Sequence, residues 1–385
     1  MISSKAIELL KSFSEAEFKE FGLFAASPYF NRENVQVKFY EILKKHYPDF
    51  SSRTFTKEQI YKKLYPGKTF SDGVMRNILS KTLELAENFI SIQHFQKDEF
   101  TYSYTLMREL GSRKAEKLFL KAETLASSTL EKTGAKDEQY FYNKFLLNNE
   151  KRNFSKNIKS TLYFSSELVK NSTENISLSF LITMLRNFTD IANTNLKMFR
   201  FEGYESLDEF EKYADIESRK YSDIEYLQYY YYSFKLAKSQ DEKYFFELKK
   251  IADTSFSKFS ERDRRDIFTI MTNYCYYKVN SGDLNFRKEH FLLLKENFER
   301  GYYKGTRNYV DHISYLNVTV TGLDAGETDW VEKFMLKYKP ELDESNRENS
   351  FNFANALLYY RKGLYDEALN TAAKVKTDDL SYKHQ

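Results

Sequence analysis

Cysteine is nearly missing from this 385-residue chain: Cys275 stands alone, which excludes an internal disulfide and fits a reducing compartment. Proline is almost as scarce. Pro28, Pro48 and Pro66 fall within the first 66 residues, and none occurs between Gly67 and Lys339. A helix interior excludes proline at about 3 kcal/mol, so so long a proline-free run rich in Leu, Glu, Lys and Phe reads as packed helices. No stretch approaches about 18 uninterrupted apolar residues, so no transmembrane helix is expected. The opening MISSKAIELLKSF lacks the apolar centre of a secretory signal, and the expected location is the cytoplasm. Neither sign of charge prevails: 59 basic and 56 acidic side chains leave a net +3, which argues against a bulk polyanion binder. No alternating strand pattern of useful length occurs either.

Catalytic and cofactor chemistry is missing in the same way. The histidines at 46, 94, 290, 312 and 384 are scattered without metal-ligand spacing. The segment PGKT at Pro66–Thr69 has the tail of a phosphate loop, but Lys62 stands where that loop needs glycine, and a helix precedes it where a strand is required. Cys275 sits among tyrosines and reads as a small buried hydrophobe. The run SERDRRD from Ser260 to Asp266 reads as a solvated helix start. We therefore expect no cofactor, no metal and no enzymatic activity.

What the chain has in abundance is aromatic residues: Phe and Tyr make up 65 of the 385. Punctuation organises them. Gly111, Gly134, Gly203, Gly282, Gly326 and Gly363 each follow a helical pattern, as a left-handed helix stop would. Ser14 with Glu17, Ser260 with Asp263, and Ser345 with Glu348 have the spacing of capping boxes. Leu181, Leu185, Phe188 and Ala192 recur at helical spacing. The fold class predicted is all-α.

The segment FANALLYYRKGLYDEALNTAAKV, Phe353 to Val375, carries the most specific pattern. Ala356 is small where helices cross, Tyr359 packs behind it, Gly363 turns the chain, and Tyr365 and Ala368 open a second helix. This stretch of about 30 residues resembles a tetratricopeptide repeat, whose units run to about 34. Weaker copies precede it, turning at Gly326, at Gly282 and near Ser239 and Gln240, with turns 37 to 44 residues apart. Those longer units are similar to helical-hairpin solenoids generally. The resemblance implies an N-terminal helical module at 1–95, irregular hairpins at 96–222, and a right-handed TPR-like α-solenoid at 223–385. The final TDDLSYKHQ reads as the start of a further helix, so apolar surface is expected near Leu369, Ala373 and Leu380.

EYLQYYYYSFKLAK, residues 225–238, places five tyrosines in seven positions. Neighbours on a helix point about 100° apart, so four successive tyrosines cannot share one face. Some must fill a seam between hairpins; others are open to a partner. In tetratricopeptide-like arrays the first helix of each hairpin lines a concave groove, and the resemblance assigns Phe353, Leu357, Tyr360 and Arg361 to it. Aligning the turns extends the set to Tyr274, Tyr277 and Lys278, and then to Tyr232 and Lys235. The implied function is a protein–protein interaction scaffold or adaptor that takes an amphipathic or acidic-aromatic peptide segment, and self-association through the C-terminal end is the other partnership left open.

The opening module suggests an alternative. Ile60, Leu64, Tyr65 and Pro66, then Arg76, Leu79 and Leu83, resemble the winged-helix segment of bacterial transcriptional activators that carry a helical-repeat domain. Residues 53–81 hold seven basic side chains against two acidic. Against DNA binding, no strand pair forms a wing, and Glu84 and Glu87 would face phosphate. The segment SPYFN at Ser27–Asn31 resembles one in a group of bacterial helical proteins of uncharacterised role, which supports the fold and adds nothing on function.

Overall fold

A computed structural model describes residues 2–157, 166–194, 206–304 and 309–376. Its regular structure is helical: eighteen α-helices and three 3-10 turns among the described residues, with one isolated bridge between Val310 and Leu342. Two compact units emerge, Met1–Leu130 and Glu131–Gln385. The sequence reading instead divides the chain at 95/96 and 222/223. The second of these points lies inside continuous packing, because the helix that follows it docks on the one before.

In the first unit the helices are α1 (Lys5–Lys11), α2 (Glu15–Ala26), α3 (Asn34–Leu43), α4 (Lys57–Leu64), α5 (Asp72–Lys97), α6 (Glu99–Ser112) and α7 (Glu116–Glu131), the last reaching the boundary. Ser14 and Glu17 form the reciprocal capping box expected of them, and Thr56 and Ser71 cap α4 and α5. The 26-residue α5 is the spine, and α1 to α4 all pack on it. Leu10, Phe21, Phe39, Leu43, Ile60, Met75 and Phe89 meet in one core. The SPYFN segment links α2 to α3. Its Asn31 amide donates to the carbonyl of Ala25 (2.7 Å) and accepts from the N–H of Glu33 (2.9 Å), an Asx-type turn built by the side chain.

In the second unit α8 (Glu138–Asn157) and α9 (Ser166–Thr194) form a pair, followed by α10 (Leu207–Lys220), α11 (Glu225–Ser239) and α12 (Glu242–Ser255). Next come α13 (Glu261–Asn280), α14 (Phe286–Glu299), α15 (His312–Asp324), α16 (Thr328–Tyr338), α17 (Arg347–Arg361) and α18 (Tyr365–Ala372). From α11 onward each helix packs on the next, and α17 rests on both α15 and α16. At the crossing of α15 and α16, Gly322 is buried where a Cβ would collide with Val331 and press on the Phe291 ring.

Gly282, Gly326 and Gly363 stop their helices with positive φ of 93°, 81° and 77°. Each closes the same double bond, in which the glycine N–H and the next N–H reach back to carbonyls three and five residues earlier, as Gly363 to Tyr360 and Leu364 to Tyr359. Other expected stops differ. Gly111 is buried inside α6, and Lys114, at φ 57°, takes the left-handed position. Gln240 does so after α11, at φ 56°. Gly134 lies in a bend without positive φ, and Gly203 falls outside the described residues. Ser345 and Glu348 do not form a capping box. Asn346 precedes α17, Ser345 bonds Asp343, and Glu348 pairs with Lys339. A β-branched side chain tolerates positive φ poorly, so Gly363→Val should lower unfolding free energy by about 1–2 kcal/mol in urea titrations, whereas Lys114→Gly should raise it by up to about 1 kcal/mol. Equal stability of Gly363→Val and the parent would refute the strain.

Candidate functional site

The tyrosine run of α11 is mostly interior. Tyr226, Tyr229 and Tyr230 are buried, and Tyr231 and Tyr232 are half-buried. What anchors them lies on α13. The Asp263 carboxylate accepts from the Tyr226 hydroxyl (2.9 Å), the Tyr230 hydroxyl (2.6 Å), the Ser260 hydroxyl (2.5 Å) and the Arg186 guanidinium of α9 (3.2 Å). Arg186 also donates to the Tyr230 oxygen (2.8 Å) and pairs with Glu138 at the start of α8. Only half of the expected Ser260–Asp263 box forms. Ser260 accepts from the N–H of Asp263, but the N–H of Ser260 is taken by the Tyr226 oxygen (2.9 Å). Burial pushes the Asp263 carboxyl up, yet the hydrogen bonds from Ser260, Tyr230 and Tyr226 and the charge of Arg186 outweigh it and hold the group below its ordinary value. One turn on, burial and the neighbouring Asp190 push Asp266 up to about 6, against the opposing pull of Arg262.

The residues assigned to a groove do not share one surface. Lys235 is buried beneath α10, where its ammonium pairs with Glu211 and with Asp215 (3.2 Å), so it leaves the docking set. Tyr274 leaves it too. Its ring is enclosed by Phe245 and Phe286, and its hydroxyl donates to the carbonyl of Gln240 (3.2 Å). Tyr232 packs against Tyr231 and Tyr244. Tyr277 is exposed, and Lys278 bridges Asp283 (2.9 Å) and Glu242 (3.4 Å) at the end of its helix.

Phe353, Leu357 and Tyr360 do come together. With Ala356 of α17, with Tyr365, Ala368, Leu369 and Ala372 of α18, and with Val375, they line an apolar groove of about 540 Å³. Leu369 is 71% exposed, Tyr365 62% and Tyr360 61%. Ala373 is exposed as expected, while Leu380 falls outside the described residues. The preceding hairpin shows what such a groove looks like when filled. There α17 inserts Ala354 and Leu358 into a cluster with Leu316, Leu323, Val331, Met335 and Tyr338. Counting from the glycines of the two turns, those five positions correspond to Phe353, Tyr360, Ala368, Ala372 and Val375. Arg361 sits at the rim, half-exposed and paired with Asp324 of the hairpin before.

In the first unit, three of the seven basic side chains at 53–81 are held in ion pairs. Lys57 and Arg76 share Asp72 (2.7 and 2.9 Å), and Lys81 pairs with Glu33. PGKT follows α4, and Gly67 takes a positive φ of 79° there. Cys275 is buried and its thiol is pushed up by desolvation, which leaves it a poor nucleophile. Burial alone pushes His290 down to about 4. No three His, Cys, Asp or Glu gather as a metal site among the described residues.

Sequence reasoning expected exposed apolar surface near Leu369 but did not join α18 to the groove, although Tyr365, Ala368, Leu369 and Ala372 recur at helical spacing. It named Asp263 only as the partner of Ser260 in a capping box and missed its other partners, which lie 33 to 77 residues away. The chain matches no protein-family model, and no curated protein or solved structure matches it.

The Asp266 shift has a consequence for stability. Its folded-state pKa lies above the unfolded value of about 3.9, so its contribution is fully present below about pH 4 and is lost as pH rises through about 6. Asp266→Asn should therefore match the parent near pH 4 and exceed it at pH 7.5 by about 1–2 kcal/mol, allowing for solvent screening. Denaturant titrations at the two pH values check this, and equal stability at both would remove the strain from Asp266.

Proposed function

We propose that this chain is a protein–protein interaction scaffold whose C-terminal hairpins stack as a right-handed, tetratricopeptide-like solenoid. Its docking site is the groove between α17 and α18, and its ligand is an amphipathic helix from a partner protein. One observation carries this reading. The groove between α15 and α16 is filled by a helix, and the corresponding apolar positions on α17 and α18 are occupied by no helix among the described residues. An apolar trough between two helices accepts a third by its i, i+4, i+8 stripe, as α17 itself enters with Ser350, Ala354 and Leu358. The aromatic rim supplies the large contact areas that dominate such interfaces. Catalysis is no part of the reading. The single buried thiol fits a reducing compartment, and we place the protein in the cytoplasm.

The test is a fluorescein-labelled 18-residue helical peptide with a leucine stripe and an otherwise neutral Gln/Ala surface, titrated by anisotropy against the full chain. Binding should be saturable and should be lost in Leu369→Asp, whose exposed position predicts a change in stability within about 0.5 kcal/mol. Binding that survives Leu369→Asp, or the absence of binding to the parent, would overturn the assignment.

A further inference from the structure

The covered groove and the open one differ in charge, and that difference specifies the ligand. At the covered groove, ion pairs hold both ends of α17. Glu348 in its first turn meets Lys339, while Arg361 and Lys362 at its last turn meet Asp324 and Glu332 of the receiving hairpin. The receiving surface therefore reads an acid at the start of the incoming helix and bases at its end. Carrying the three receiving positions forward by the 37 residues between Gly326 and Gly363 gives Lys376 for Lys339, Arg361 for Asp324 and Leu369 for Glu332. The first base is kept, the first acid is reversed, and the second acid becomes aliphatic.

The main chain of Lys376 is held at this end of the groove. Its N–H donates to the Asn349 side chain (2.7 Å) and its carbonyl accepts from the Asn349 amide (3.0 Å), which ties it to the first turn of α17. Arg361 has spent one arm on Asp324, but a guanidinium carries five N–H donors and this one is half-exposed. The nearest acids on α18, Asp366 and Glu367, are rotated about 100° and 200° from Tyr365 and so lie off the lining face.

We infer that the α17–α18 groove selects an acidic amphipathic helix, with carboxylates in its terminal turns and aliphatic residues between them. This rests on the docking role proposed above. A helix patterned like α17 would bring bases against Arg361 and Leu369, so neither a repeat of α17 nor its copy from a second chain fits the rim. Carboxylates at the ligand's first turn also suit its own helix dipole where Lys376 awaits them.

Three synthetic 18-residue peptides with the same leucine stripe separate the possibilities: one with Glu in both terminal turns, one with Glu first and Arg-Lys last, and the neutral peptide. Against the full chain at low salt, the doubly acidic peptide should bind about tenfold tighter than the α17-patterned one, an advantage that shrinks as ionic strength rises. Arg361→Gln should narrow that gap, with melting recorded to show that the fold is intact. Equal or tighter binding of the α17-patterned peptide overturns the charge selection while neutral-peptide binding keeps the groove as a helix dock. Failure of all three peptides removes both readings. A concentration-dependent dimer in sedimentation, abolished by Leu369→Asp, assigns the groove to a second copy and also overturns the inference.

Discussion

A carboxylate with almost no access to water has to be surrounded by donors, and Asp263 shows how much structure that requirement commands. Its oxygens are met from α9, α11 and the start of α13, and Arg186 extends the network to Glu138 on α8. Removing any donor would leave a charge or hydroxyl buried without its partner, which costs more than the bond itself is worth. These helices are consequently set at one another's distances by polar geometry, while the phenyl and alkyl surfaces around them supply bulk attraction. The tyrosine run serves this arrangement. Tyr226 and Tyr230 bring hydroxyls to Asp263, Tyr231 brings its own to Asp215 at 2.8 Å, and the rings fill the space between.

Farther along the chain the organisation becomes local. From α11 to α18 neighbours in sequence are neighbours in space, and each hairpin is closed by a left-handed turn at Gln240, Gly282, Gly326 or Gly363. Among the described residues, no further helix covers the outer face of the α17–α18 hairpin, and that face is apolar in its centre and basic at two points of its rim.

Much of this was legible because it depends on short-range chemistry. The helix stops at Gly282, Gly326 and Gly363, the box at Ser14, and the all-helical class follow from residues within one turn of each other. Phe353, Leu357 and Tyr360 were grouped through the resemblance to tetratricopeptide repeats and not by a local signal, and they line the trough between α17 and α18. Lys235 and Tyr274 were not, since α10 and the Phe245–Phe286 pair that enclose them are recruited from elsewhere in the chain. Gly111 misled because a buried helical glycine and a helix-stopping glycine look alike until φ is known, and Lys114 supplied the left-handed residue without any glycine to announce it. At Ser260 the local capping pattern was right, and a tyrosine 34 residues earlier captured half of it.

Gly322 has an implication of a different kind. The contact it permits joins α15 to Val331 of α16 and Phe291 of α14, so one missing methyl group sets the spacing of three helices. Sequence change at these three positions is thereby interdependent: a larger residue at 322 is tolerable only alongside smaller ones at 291 and 331, and no single substitution reaches that combination. Among descendants of this chain, positions 291, 322 and 331 should either stay as they are or drift together, a covariation that comes from a shared volume.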